Sequence, residues 1–187
     1  MQEPYFWYVI YVRANTEKRV ADDINRFALK SGFDYEFEPF CPESEYYYRN
    51  KEDRRTGKSY RRRPLFPGYV FIETDMPPED FAREFGAYFY GSKDIIRLLR
   101  SGRSNNNIAL PVEERQRLEF LLKGKRCLER SVGYIVGDKI TVEGGPLVGC
   151  EGLITYINRH NRFADIEVDM FGGKIKARVA LEIVSKK

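Results

Sequence analysis

The hydrophobic period of the sequence changes near residue 123, and that change divides the chain. Up to residue 122, β-rich apolar runs alternate with segments of helical spacing. After Lys123-Gly124-Lys125-Arg126 the helical signal stops, and from Val136 apolar residues recur at every second position. The period-two runs are Lys139–Val142, Gly152–Ile157, Ala164–Val168, Lys174–Val179 and Leu181–Val184. Turn chemistry punctuates them at Gly144-Gly145-Pro146, Arg159–Asn161 and Gly172-Gly173. Five strands in so short a segment fit a small β-barrel, because closure removes the exposed edges such a sheet otherwise offers. The expected organisation is a domain over 1–122, a linker over 123–133 and a barrel domain over 134–187.

In the first segment, Trp7–Val12 is apolar on both faces and reads as a central strand. Asn15-Thr16 offers a helix N-cap, with Glu17 in the first turn, Val20, Ile24, Phe27 and Ala28 at helical spacing and Gly32 as the stop. Tyr35–Phe40, Tyr69–Ile72 and Ile95–Leu99 read as further strands. Pro77-Pro78-Glu79-Asp80 opens a short helix through Phe85, and Pro111 opens another that carries Leu118, Leu121 and Leu122. The order predicts an α+β domain: helices flanking a mostly antiparallel sheet. Between Pro64 and Gly68 the backbone is stiff, since prolines fix φ at both ends of Leu65-Phe66 and Gly68 frees it afterwards.

Several functional classes are excluded or demoted by composition. His160 is the single histidine of 187 residues, so a multi-histidine zinc site is impossible. Cys41, Cys127 and Cys150 are odd in number and far apart, which argues against a disulfide framework. No run approaches the roughly 18 apolar residues of a membrane span, and no secretory leader pattern precedes the first strand, so the expectation is a soluble, cytoplasmic protein. No acidic pair sits beside a metal-type motif, which leaves a nucleic-acid-modifying enzyme as the weakest reading. Gly144-Gly145-Pro146 is a turn and not a nucleotide cradle, because no helix N-terminus follows it.

Charge is sharply localised. The chain holds 32 Lys and Arg against 28 Asp and Glu, a net +4. Residues 49–63 alone hold eight basic and two acidic residues. Arg54, Arg55, Lys58, Arg61, Arg62 and Arg63 belong to this block, and Tyr46, Tyr47, Tyr48 and Tyr60 flank it. Such a cluster attracts polyanions even on a nearly neutral protein, and the tyrosines are suited to stacking on unpaired bases. In the barrel segment, Lys174, Lys176 and Arg178 alternate with Ile175, Ala177 and Val179, so the three cations share one face. Arg159, His160 and Arg162 sit in a turn that can border that face.

Trp7-Tyr8-Val9 with its capped helix, followed by Pro64-Leu65-Phe66-Pro67-Gly68-Tyr69-Val70-Phe71, resembles the N-terminal (NGN) domain of NusG-type transcription elongation factors. Gly137–Leu147, continuing through Gly149 and Glu151-Gly152, is similar to the KOW motif that follows it in that family. The resemblance covers nearly the whole chain in the right order. Leu65 before Phe66, Phe71 after Val70, and Asn158-Arg159-His160-Asn161-Arg162 are most similar to specialised paralogs of the RfaH and LoaP type, LoaP above all.

The resemblance implies a bacterial, monomeric antitermination factor without catalytic residues or cofactors. Its first domain is implied to bind the clamp helices of the largest RNA polymerase subunit through Tyr11, Leu65, Phe66, Pro67 and Tyr69. The basic block is implied to lie near upstream or non-template DNA. The barrel is implied to bind a nascent RNA hairpin through Arg159, His160, Arg162, Lys174, Lys176 and Arg178. Phe171 matches a turn where the family's barrel meets Rho or a ribosomal protein, although Gly173 replaces the usual arginine there. The alternative within the family is a general elongation factor acting on all genes.

Overall fold

Strand β1 (Phe6–Val12) has Trp7, Tyr8, Val9, Ile10 and Val12 buried, as a strand covered on both faces must. The structure is a computed structural model that describes residues 5–48, 59–102 and 107–186. β1 lies inside a four-stranded sheet of order β2-β5-β1-β6, with β2 at Phe37–Phe40, β5 at Tyr69–Thr74 and β6 at Ile95–Leu98. All three neighbouring pairs are antiparallel. Helix α1 (Glu17–Ser31) ends at Gly32 in the left-handed conformation, φ 66°, as the sequence predicts. Helix α2 (Pro78–Gly91) runs past the expected end at Phe85, because Phe81, Phe85 and Phe89 recur every fourth residue and all three are buried. Helix α3 spans Val112–Leu122.

Period two sorts β1 into two layers. Tyr8, Ile10 and Val12 join Val20 and Ile24 of α1, Val70 and Ile72 of β5, and the α2 phenylalanines in one core. Tyr8 stacks on Phe81 with centroids 3.6 Å apart, and Phe81 on Phe85 at 4.7 Å. On the opposite face, Trp7 meets Phe40 and Phe71 edge-on at 5.3 and 6.0 Å. Each buried aromatic contributes about 1.5–3 kcal/mol by leaving water, which makes this sheet the best-anchored part of the chain.

The chain forms two compact units. The first draws on residues 1–41, 67–116 and 170–173, the second on 42–66, 117–169 and 174–187. These spans cut across the sequence divisions at 122 and 134. The second unit contains a three-stranded sheet of order β4-β3-β7: β3 at Glu43–Tyr48, β4 at Ser59–Pro64 and β7 at Cys127–Leu128. β3 and β4 pair antiparallel, with Tyr46 opposite Arg61 and Ser44 opposite Arg63. β7 pairs in parallel with Glu43 and Ser44, so part of the expected linker is strand.

The second unit also holds the five-stranded sheet, order β10-β11-β12-β8-β9. Its strands are β8 (Ser131–Val136), β9 (Lys139–Gly144), β10 (Ile154–Asn158), β11 (Phe163–Met170) and β12 (Gly173–Lys186). The count of five agrees with the sequence reading, but the membership differs. β8 begins inside the expected linker, and its inward positions are Ser131 and Gly133, which carry no hydrophobic signal. A Cβ on Gly133 would lie 2.4 Å from the Thr141 carbonyl oxygen, so the close approach of β8 to β9 excludes a side chain there. The two last expected strands are one continuous β12, since no turn-forming residue separates Val179 from Leu181 and Val179, Ala180 and Leu181 are all buried. The Val142 amide donates to Glu151 Oε1 at 3.3 Å, linking β9 to the 3-10 turn (Glu151–Leu153) before β10.

Candidate nucleic-acid interface

The proline-framed segment leads into β5 and is fixed by backbone hydrogen bonds. The Leu65 amide donates to the Pro42 carbonyl at 2.7 Å, and the Val12 amide to the Gly68 carbonyl at 2.7 Å. Glu17, buried in the first turn of α1, accepts the Gly68 amide at 2.7 Å. Gly68 has φ 84°, and a Cβ on it would lie 2.9 Å from the Tyr11 ring, so both conformation and space demand glycine. Sequence reasoning gave Glu17 only a helix-dipole role; nothing in the local pattern signals its distant partner.

This pinning decides what the segment presents. Tyr11 and Tyr69 are half-buried neighbours across β1 and β5, centroids 5.2 Å apart, and Pro67 is exposed. Leu65 and Phe66 are each only 1% exposed. With proline on either side, the Leu-Phe pair turns inward, where burial stabilises it.

Arg54, Arg55 and Lys58 lie outside the described residues. Arg61 and Arg62 are exposed on β4, and the Arg61 guanidinium sits 3.7 Å over the Tyr48 ring. On β12, Lys174, Lys176 and Arg178 are exposed and alternate with inward residues, as the period predicts. The face is not a bare cationic stripe, however. Both lysines lie near Glu167 of β11, at 3.8 and 3.7 Å, and Arg178 is bound bidentately by Asp165 at 2.6 and 3.0 Å. These cross-strand acids offset much of the positive potential.

A denser arrangement sits where the β3–β4 hairpin meets the β10–β11 turn, inside the second unit. A cleft of about 450 Å³ is lined by Tyr46, Tyr47, Arg63, His160, Asn161, Arg162, Phe163 and Arg178. Tyr46 and Tyr47 point to opposite faces of β3, yet both border it; among the described residues β7 pairs only with Glu43 and Ser44 on that edge. The Ser44 hydroxyl donates to the Arg178 carbonyl at 3.1 Å, and the Arg130 amide to Glu45 at 2.9 Å, which fixes the hairpin against the barrel strands.

Each arginine of the cleft lies over an aromatic ring: Arg63 at 5.1 Å from Tyr46, Arg162 at 4.7 Å from Tyr47 and Arg178 at 3.9 Å from Phe163. Arg178 has Asp165, and Arg162 has Glu182 at 3.6 Å. Among the described residues no carboxylate forms an ion pair with Arg63. Burial, with the Arg178 guanidinium nearby, pushes the Arg63 pKa below its ordinary value. The hydrogen bond to Asp165 pushes that of Arg178 up. His160 and Arg159 are exposed in the turn.

The Phe171-Gly172 turn has φ of 52° and 75°, and both of its amides donate to the Glu114 carboxylate, at 2.5 and 2.9 Å. Among the described residues no group of three or more His, Cys, Asp or Glu is placed to hold a metal ion. Burial raises the pKa of Cys127 and Cys150, so neither is an activated nucleophile.

The sequence profile of the family described as "Transcription termination factor nusG" matches residues 5–120. The chain belongs to the NusG family. A relative from Borreliella burgdorferi, "Transcription termination/antitermination protein NusG", is 25% identical over 186 residues, covering 96% of this chain and 97% of that protein. The protein of the same description from Thermus thermophilus is 30% identical over 177 residues, covering 89% and 90%. Among solved structures, "Domain interaction in Thermotoga maritima NusG" matches with a TM-score of 0.55 and 21% identity over 96% of this chain and 94% of that one, a likeness of fold. The NusG-family fold accounts for the antiparallel sheet with its helices followed by a β-rich segment, as the sequence predicts.

Proposed function

We propose that this NusG-family chain is a transcription elongation factor of the processive antitermination kind. Its N-terminal domain binds RNA polymerase and its barrel binds nascent leader RNA, suppressing pausing and termination at selected operons. The observation that carries the polymerase contact is the Tyr11–Tyr69 pair beside exposed Pro67. Aromatic rings held on paired strands bind with little ordering cost, the usual character of an interface hot spot. The clamp helices of the largest subunit are its partner. The factor works by population shift: binding favours the elongating over the paused conformation, with no chemical step.

The basic hairpin arms, Arg61–Arg63 in the described part, supply salt-dependent contact to DNA near the transcription bubble. Arg159, His160, Arg162, Lys174, Lys176 and Arg178 supply the RNA contact. The Asn158–Arg162 resemblance supports a specialised role over a general one, and Gly173 in place of the family's usual arginine argues against a Rho or ribosomal partner at Phe171. The deciding experiment is transcription on reconstituted elongation complexes with and without leader RNA. Readthrough that requires the leader supports the specialised role; equal action on every template supports a general factor.

A further inference from the structure

We infer that the cleft between the β3–β4 hairpin and the β10–β11 turn binds one unpaired nucleotide of single-stranded RNA, its phosphate among Arg63, Arg162 and Arg178 and its base against the tyrosines at the β3 edge. The inference rests on the nascent-RNA reading and sharpens it: the site is a built pocket, not the open face of β12.

Three observations converge. The first is charge. Three guanidiniums face two carboxylates, Asp165 and Glu182, and those are taken by Arg178 and Arg162. Arg63 is half-buried, has no ion pair among the described residues and sits beside a like charge. A half-buried cation beside another, with Asp165 acting on it only from outside ion-pair range, gains from a phosphodiester, which accepts charge-assisted hydrogen bonds there. The Nη1 of Arg162, 3.6 Å from Glu182 Oε1, makes no hydrogen bond among the described residues.

The second is rigidity. The arginines are held over Tyr46, Tyr47 and Phe163, and the hairpin is tied to β12 through Ser44 and Arg178. A pre-organised site loses less side-chain freedom on binding than extended surface lysines do. The third is the kind and size of the lining. Tyrosine rings and guanidinium planes are the surfaces on which unstacked bases settle, and a cleft of about 450 Å³ is in the range of small-ligand sites. Duplex RNA keeps its bases stacked inward and cannot place one there. The exposed side chains of His160 and Asn161 at the rim can meet a 2′-hydroxyl, which favours RNA over DNA.

The test uses the full chain without polymerase. Fluorescence anisotropy is read with labelled oligouridylate, the matching oligothymidylate and a blunt duplex RNA, across a salt series. Wild type is expected to bind the oligouridylate best. Arg63→Gln is expected to weaken binding roughly tenfold and to lower the salt slope by about 0.7. Tyr47→Ser is expected to weaken it at least fivefold, while Tyr47→Phe, which keeps the ring, retains wild-type affinity. Lys174→Gln with Lys176→Gln is expected to change affinity less than Arg63→Gln does. Thermal melting of each variant confirms folding.

Wild-type affinity in folded Arg63→Gln and Tyr47→Ser variants would overturn the site. So would duplex binding as tight as single-strand binding, or no oligouridylate binding by wild type. Oligothymidylate binding as tight as or tighter than oligouridylate overturns the assignment to transcript. Failure here leaves polymerase attachment through Tyr11 and Tyr69 intact, and that attachment is scored separately.

Discussion

The proline-framed segment and the arginine cleft are both held firmly, but by opposite physics. Around Gly68, backbone amides, a buried carboxylate and a positive φ fix a small apolar surface of Tyr11, Pro67 and Tyr69. Around Arg63, cation–aromatic contacts and ion pairs fix a charged cavity. The first gains from removing apolar area from water and is nearly indifferent to salt. The second works through charge and weakens as salt rises. One chain thus carries two handles that can be loosened independently.

The largest expected effect breaks the frame beneath the apolar handle. Phe85 is fully buried among Phe81, Phe89 and Phe37. Phe85→Ala is expected to lower stability by about 3–5 kcal/mol in urea unfolding. A loss under about 1 kcal/mol would mean that the aromatic core is not packed as described. Next is Gly68→Ala, which forces a Cβ against the Tyr11 ring in a left-handed conformation. It is expected to cost about 1–2 kcal/mol and, by displacing Tyr11, to weaken polymerase attachment while leaving RNA affinity unchanged. Equal loss at both handles would dissolve the distinction between them.

A smaller effect sharpens the comparison from the charged side. Asp165→Asn removes the carboxylate bound to Arg178. RNA affinity is expected to rise several-fold at low salt and the salt slope to steepen by up to about 0.7, with polymerase attachment unaltered. The smallest effect concerns the thiols. Because burial raises the pKa of Cys127 and Cys150, each carries less thiolate than an exposed thiol does at the same mildly alkaline pH. Iodoacetamide labelling of the native chain is therefore expected to be slower than of the urea-unfolded chain; equal rates would contradict the burial.

Much of the first unit was legible in the sequence because its signals are local. The Trp7–Val12 run, the Gly32 stop and the period of α1 each follow from residue chemistry within a few positions. What escaped had no local signal. β8 hides because its inward residues are Ser131 and Gly133, and β12 runs on because nothing at Ala180 breaks it. The inward turn of Phe66 and the grip of Glu17 on Gly68 depend on partners across the fold. Of the six expected RNA-contacting residues, His160, Arg162 and Arg178 line one cleft. Their acids on β11 and the tyrosine wall from β3 come from remote sequence, so the cleft was visible only in three dimensions.

The most direct test of polymerase recruitment is equilibrium binding of the full chain to bacterial RNA polymerase elongation complexes by wild type and by the Tyr11→Ala, Tyr69→Ala double variant, each first shown to melt as a folded protein. The expected result is at least a tenfold loss of affinity that persists at high salt, as removal of an aromatic hot spot produces. Unchanged affinity in the folded double variant would contradict the assignment of that surface to the polymerase.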